Sequence, residues 1–297
     1  MILAVSLNVS LARGSVSGAY GTCKATNAFR AVHALSRESH TLLMPLGGEV
    51  GEEIADALTR EGLPFERLSS KSEHRRIEVT ENPATFEQTE RKSPRVFRPE
   101  DLATLTAALP QHIRRGDIVI IAGSLPPGPS MRDWGAMFRA IADSGGRLLL
   151  DCAQFPALFR AGVFPWILKV NRDEWRAWEP KCDSLRQSLA EAGRALICGN
   201  DLHAVIVTDG AQGAIAVTAD QLLKVAAPER RGWSLGCGDA FAGGLAVGLD
   251  ESPSLDGCLR LATACALANL ATPVPGEIPT ETVQTHLAEC DIQRVIT

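Results

Sequence analysis

The feature that most restricts the fold of this chain is a series of short, nearly unbroken apolar segments, separated by amphipathic ones, that begins near residue 117. Segments 117–121, 147–151 and 166–170 do not alternate apolar with polar residues, so each reads as a strand covered on both faces. Strands of that kind belong to a parallel sheet with helices on either side. Segments 130–144 and 155–162 between them, and 183–195 after them, are read as helices, followed by strands at 204–208, 213–218 and 221–226. The C-terminal third is helical, with Gly243 and Gly244 permitting close packing. Strand 2–7 and a helix from about 24 to 36, with Ala28, Phe29, Val32 and Leu35 on one face, join the same sheet.

Two N-terminal regions break this pattern. Segment 8–20 is polar and rich in Gly and Ser, and 74–90 alternates like exposed strands. Together they suggest a small β appendage acting as a lid over one large domain spanning 1–297, since no repeat or long Pro/Gly linker divides the chain. Of the 297 residues, 45% are apolar, enough for a substantial core. A net charge of −5 with no basic run argues against a nucleic-acid or membrane-surface partner, while leaving room for a local basic cluster. The N-terminus opens directly into 2–7 without a basic leader, and no apolar run is long enough to span a bilayer, so a cytoplasmic location is expected. The eight cysteines, Cys182 among them, show no C-x-x-C pair or zinc spacing, and the six histidines share no spacing, so reduced thiols and no metal or triad role are expected.

Four segments carry chemistry. In 236–244, Gly-Cys-Gly-Asp-Ala-Phe-Ala-Gly-Gly, a glycine turn runs into a helix start, where backbone N–H groups and the positive dipole end favour an anion. Asp239, in the first turn, is placed to take a proton from an attacking alcohol; Cys237 reads either as a small residue filling the turn, the favoured reading, or as a thiol whose pKa the helix start lowers. Gly123-Ser124-Leu125-Pro126-Pro127-Gly128 follows a strand, where ligand crevices form, and Ser124 offers a hydroxyl. Asn171-Arg172-Asp173-Glu174 also follows a strand; it forms a capping box in the plain reading and an organiser of water and Mg2+ in the functional one, with Lys169 supplying positive charge. Thr208-Asp209-Gly210-Ala211-Gln212-Gly213 either turns a hairpin or lets backbone approach a nucleotide. Their joint occurrence, each at a strand end or helix start, outweighs the separate plain readings.

Taken together, these segments resemble the PfkB branch of the ribokinase-like sugar kinases over essentially the full length of the chain. The G-S-L-P-P-G segment is most similar to the 1-phosphofructokinase, tagatose-6-phosphate kinase and minor 6-phosphofructokinase group. The family's G-A-G-D is matched by 236–239, its N-x-x-E by 171–174 and its T/S-x-G-x-x-G by 208–213. The resemblance implies an α/β fold: a ribokinase-like three-layer αβα domain with a mostly parallel central sheet and a small β-sheet lid that serves as a homodimer interface. It implies an ATP- and Mg2+-dependent kinase that phosphorylates a hydroxyl of a phosphorylated ketohexose. Asp239 would be the general base, and Gly236, Cys237 and Gly238 the anion hole. Lys169, Asn171, Thr208, Gly210, Gly213 and Asn269 would bind ATP, the last from the small-residue helix walling the adenine pocket. Glu174 would serve the metal, and Lys24, Asn27, Arg76 and Ser124 the sugar substrate, with Arg30 and Arg75 adding charge. On the sugar side Ala12 replaces an aspartate, Thr22 and Cys23 replace glycines, and Glu78 replaces an asparagine. Two alternatives therefore stay open: a kinase of an unphosphorylated sugar or nucleoside, and a catalytically idle sugar-phosphate sensor.

Overall fold

Ile2 and Ala4 pack into one buried cluster, Leu3 and Val5 into another, and this two-residue alternation, repeated along the central strands, builds two cores on opposite faces of one sheet. The computed structural model describes residues 1–91, 96–179, 184–252 and 254–294. Its strands are β1 (Ile2–Val5), β2 (Ser10–Gly14), β3 (Gly18–Thr22), β4 (His40–Leu46), β5 (Phe65–Ser69), β6 (Arg76–Asn82), β7 (Glu87–Arg91), β8 (Ile118–Ala122), β9 (Arg147–Asp151), β10 (Ile167–Asn171), β11 (Ala204–Thr208), β12 (Ala214–Val217), β13 (Leu222–Ala226) and β14 (Asp291–Arg294). Ten of them form a sheet in the order β14-β13-β12-β11-β10-β9-β8-β1-β4-β5, parallel from β11 to β5 and antiparallel beyond β11. The chain winds from β1 toward β4 on one side and from β8 toward β11 on the other. The crevice this reversal opens lies at the carboxyl ends of β1 and β8.

The other four strands form a separate sheet in the order β3-β2-β6-β7, from the two segments expected to leave the main pattern. Ala12, Tyr20, Ile77 and Val79 form its buried cluster. Leu11 and Arg76 are register partners on the opposite face, where Arg13 and Arg76 reach Glu53 of the helix Gly48–Arg60.

The expected strands and helices from 117 onward are all present, with ends moved by a few residues. The helical segment expected at 183–195 is divided: Leu185–Ser188, a π-helical Leu189–Gly193, then Arg194–Gly199. Residue 183 and Cys182 lie outside the described residues. The sequence reading gave no element to β4, β5, β14 or the helices Gly48–Arg60 and Pro99–His112. At the sheet's edge, β5 keeps Glu66 and Arg67 exposed and so lacks the apolar run that marks its central neighbours. Pro45 breaks the pattern of β4, and it lies past Leu43, the last residue of β4 in register with β1, where the ladder to that strand has ended.

Gly243 and Gly244 act on two different neighbours. A Cβ on Gly243 would collide with the Ala28 carbonyl of the helix Lys24–Leu35, and one on Gly244 would lie 2.5 Å from Cys265 Sγ of the helix Leu255–Asn269. The helix Cys237–Glu251 is thus held at backbone distance from the first of these and tightly against the second. Gly243→Ala should cost roughly 1–3 kcal/mol, because the collision is with helix backbone that cannot turn aside. Gly257→Ala, where a Cβ meets open space, should be neutral or gain up to about 1 kcal/mol. Urea unfolding of the two variants checks this; equal midpoints would show that the helix crossing is not tight.

Candidate active site

The helix Cys237–Glu251 begins where the chain has no room for a side chain. Gly236, its N-cap, has φ +90, and a Cβ there would lie 2.6 Å from Pro275. The Gly236 carbonyl accepts from Asp239 N (3.0 Å) and Ala240 N (2.8 Å), so the helix starts sharply. Cys237 N donates to the Ser234 carbonyl (3.2 Å), which leaves Gly238 N as the first-turn N–H without a backbone acceptor among the described residues, at the positive end of the helix dipole that favours an anion. A Cβ on Gly238 would stand 3.4 Å from Lys169 Nζ, so a cation lies against this helix end.

Asp239 is 8% exposed, and its Oδ2 accepts a hydrogen bond from Asn27 Nδ2 at 2.8 Å. Burial, opposed by the Lys24 ammonium and assisted by Asp151, pushes its carboxyl up to about 6; the Asn27 hydrogen bond and Lys169 pull the other way. Such a group is a carboxylate at neutral pH yet basic enough to accept a proton from an alcohol.

Beside it stands a charge cluster the sequence reading missed. Asp151, fully buried at the end of β9, binds two ammonium groups: Lys169 Nζ at 2.6 Å on Oδ2 and Lys24 Nζ at 3.1 Å on Oδ1. Burial alone would raise the Asp151 carboxyl, but the two lysines overcome it and hold it below the usual carboxylate range. Burial likewise disfavours the Lys24 ammonium, and the carboxylates of Asp151, Asp239 and Glu174 more than compensate. Asp151 had a sequence signal: a carboxylate ending an otherwise apolar parallel strand, at the edge where the other chemical segments lie.

The capping box expected at 171–174 is present. Asn171 Oδ1 accepts from Glu174 N (2.8 Å) and Glu174 Oε2 accepts from Asn171 N (3.0 Å), while Glu174 Oε1 is 3.7 Å from Lys24 Nζ. Thr208 lies beside Asn171 in the β10–β11 register and donates to the Val170 carbonyl at 3.4 Å. Gly210 and Gly213 have φ of +53 and +83, and a Cβ on Gly213 would collide with the Val225 carbonyl, so the glycine requirement there comes from the hairpin itself. Ser124 is exposed, in a loop whose Gly123 donates its N–H to the Asp151 carbonyl at 2.8 Å. A Cβ on Gly123 would lie 3.5 Å from Lys24 Cβ.

Several of the named residues are committed to protein neighbours. Asn269 is fully buried; its Nδ2 donates to the carbonyls of Trp233 (3.1 Å) and Leu235 (3.0 Å) and its Oδ1 accepts from Gly276 N (2.7 Å). It braces the turn rather than presenting its amide to a ligand. Burial pushes the Cys237 thiol up to about 12, in keeping with a small residue filling the turn rather than with a thiol lowered by the helix start. Arg76 lies on the face of β6 opposite Ile77, 47% exposed by side chain and paired with Glu53, with Glu49 at 3.9 Å. Arg30 is buried and engaged with Glu61, Asn27 and two carbonyls. Arg75, by contrast, donates from Nε to Ser10 Oγ at 2.9 Å.

Among the described residues no three His, Cys, Asp or Glu side chains converge on one metal position. Mg2+ carried by phosphates needs only one or two protein carboxylates and water, and the residues present fit that mode. Both oxygens of Asp151 are taken by lysines, whereas Glu174 keeps Oε1 outside its capping box, 3.7 Å from Lys24 Nζ.

A mostly parallel sheet covered on both faces, a small second sheet and a glycine-capped helix at the strands' carboxyl ends define a ribokinase-like α/β protein. The chain belongs to the pfkB family of carbohydrate kinases, whose model matches residues 23–281. It is 37% identical over 165 residues to a 1-phosphofructokinase of Xanthomonas campestris, an alignment covering 53% of this chain and 51% of that protein, about half its length. It is 26% identical over 233 residues to the ATP-dependent 6-phosphofructokinase isozyme 2 of Escherichia coli, covering 77% of this chain and 75% of the relative. A crystal structure of phosphofructokinase-2 from Escherichia coli in complex with potassium superposes with a TM-score of 0.86 at 23% identity, covering 97% of this chain and 98% of the other. No helix of the described residues is long and apolar enough to cross a membrane.

Because folding raises the Asp239 pKa, the native state binds more protons than the unfolded chain between about pH 4 and 6, and this group's contribution to stability falls as pH rises through that window. Asp239→Asn should therefore be more stable than wild type at pH 8, by on the order of 3 kcal/mol, with the difference vanishing toward pH 4. Denaturant melts at the two pH values measure it. A difference independent of pH would mean that Asp239 titrates normally.

Proposed function

We propose that the chain is an ATP-dependent sugar kinase that transfers the γ-phosphate to a hydroxyl of a phosphorylated ketohexose, in the manner of a 1-phosphofructokinase or tagatose-6-phosphate kinase. The observation that carries this reading is the buried Asp239 carboxylate, raised toward neutrality, one turn into a glycine-capped helix and within reach of the lysine cluster. Asp239 takes the proton of the attacking hydroxyl. The 236–238 turn, Lys169 and Lys24 stabilise charge on the phosphate being transferred. Thr208, Gly210 and Gly213 form the nucleotide side, and Asn171 and Glu174 close it, Glu174 holding Mg2+ through water. When bound, Mg2+ neutralises phosphate charge. Asn27 and Ser124 orient the sugar.

The named activities of the two sequence relatives, both phosphofructokinases, support a ketohexose phosphate as acceptor. The small sheet, from 8–20 and 74–90, is the lid of a single kinase unit and the surface through which two copies pair. One observation favours a second reading, a kinase of an unphosphorylated sugar or nucleoside: Arg30 and Arg76 are already engaged by Glu61 and Glu53.

Coupled ADP release with fructose 1-phosphate, fructose 6-phosphate and tagatose 6-phosphate, against fructose, ribose and a nucleoside, separates these. One of the phosphorylated ketoses should exceed every unphosphorylated acceptor in kcat/KM by roughly 100-fold, the scale of a charge-assisted phosphate contact. Preference for an unphosphorylated acceptor would establish the second reading. Binding of sugar phosphate without ADP release would make the protein a sensor.

A further inference from the structure

Asn27 has an amide that could face Asp239 with either end, and the surroundings select one. Its Oδ1 accepts from Arg30 Nη1 (3.0 Å) and Thr22 Oγ1 (3.0 Å), which leaves Nδ2 to donate to Asp239 Oδ2 (2.8 Å). Turned over, the amide would set its oxygen against the carboxylate and its NH2 against the guanidinium, replacing two attractive contacts by two repulsive ones. Thr22 can rotate its hydroxyl to suit either arrangement; Arg30 has only donors and cannot.

The guanidinium itself is fixed on all sides. It is 5% exposed and lies one turn beyond Asn27 on the same helix face. Its Nε and Nη2 grip Glu61 at 2.7 and 3.1 Å, Nη2 also donates to the Gly21 carbonyl at 2.6 Å, and Nη1 to the Pro275 carbonyl at 3.2 Å. The plane sits 5.7 Å from the Tyr20 ring centre. Gly21 belongs to β3 of the small sheet, and Pro275 is the residue that walls Gly236, so one side chain reads the position of the small sheet, the helix Gly48–Arg60 and the glycine turn together.

We propose that Arg30 is a positioning residue: it fixes which end of the Asn27 amide meets Asp239, and so holds that carboxylate in its proton-accepting state. This rests on the reading of Asp239 as the base. The charged groups facing Asp239 are Lys24 from the same helix as Asn27, Asp151 from β9 and Lys169 from β10, and none of them changes when Arg30 is altered. Freed from Arg30, the Asn27 amide samples both orientations. The Asp239 carboxylate then loses part of a hydrogen bond that favours its ionised form.

The test compares Glu61→Gln, which keeps the Arg30 contact to Asn27, with Arg30→Lys and with the paired Arg30→Met, Glu61→Met, which removes both buried charges at once. Readouts are kcat, KM for ATP, the acid limb of the kcat/KM profile, and the side-chain 13C titration of Asp239, assigned by its loss in Asp239→Asn. Glu61→Gln should retain the wild-type limb. Both Arg30 variants should move the limb and the 13C midpoint upward by about 0.5–1 pH unit, with lower kcat at pH 6 and unchanged KM for ATP. Arg30→Lys keeps an ammonium for Glu61 and carries the test if the paired variant does not fold. Reduced kcat with an unmoved limb and midpoint would make Arg30 a packing residue and overturn the proposal. If no acceptor is turned over, the 13C midpoint still decides: a shift there sustains the role of Arg30 while the kinase reading fails.

Discussion

The helix Cys237–Glu251 meets the helix Lys24–Leu35 at backbone distance through Gly243, and the arrangement of the site depends on that contact. One face of the second helix carries Lys24, Asn27 and Arg30 at helical spacing; the first turn of the other carries Asp239. A side chain at 243 would separate the two, and Asn27 could no longer reach the Asp239 carboxylate. Glycine recurs at the same junction for the same reason: a Cβ on Gly276 would collide with the Asn27 carbonyl, and one on Gly236 with Pro275. The junction is assembled by close backbone approach, and its polar groups are then oriented by short, saturated contacts.

Two buried carboxyl groups in this junction are driven in opposite directions. Asp151, holding two ammonium groups, is kept ionised and electrically spent. Asp239, with a neutral amide as its hydrogen-bond partner and the lysines committed largely to Asp151, is raised to about 6. Divergence of this kind between neighbouring titratable groups assigns them different work. Under the proposed function Asp151 positions the cations, and Asp239 keeps the basicity to exchange a proton. The cost is carried in stability, since a buried carboxylate that is ionised at neutral pH weakens the fold that holds it.

Much of the fold was legible in the sequence because the central strands β8 to β11 are buried on both faces and therefore read as continuous apolar runs. The edge strand β5 and the late antiparallel β14 lack that double burial and carry no such mark. At the site, the segments at 123–128, 171–174, 208–213 and 236–239 were visible as local motifs, since glycine turns and capping boxes are short-range features. Asp151 was marked only by its place at the end of an apolar strand, and its meaning lies in contacts with residues 24 and 169, remote in the chain. The directions of Arg76 and Arg30 were hidden for the same reason. Whether an arginine on a strand or helix meets a ligand or an acidic neighbour is settled by Glu53 and Glu61, both on or next to a helix that carries no mark in the sequence.

Turnover by Asp239→Asn, measured with saturating Mg-ATP and the preferred sugar acceptor and set beside its ATP dissociation constant, bears most directly on the role of the buried carboxylate. A kcat lowered by at least ~10²-fold with unchanged ATP affinity is the predicted result, the scale of losing a positioned general base. A kcat close to wild type would contradict it and move the proton transfer to another group.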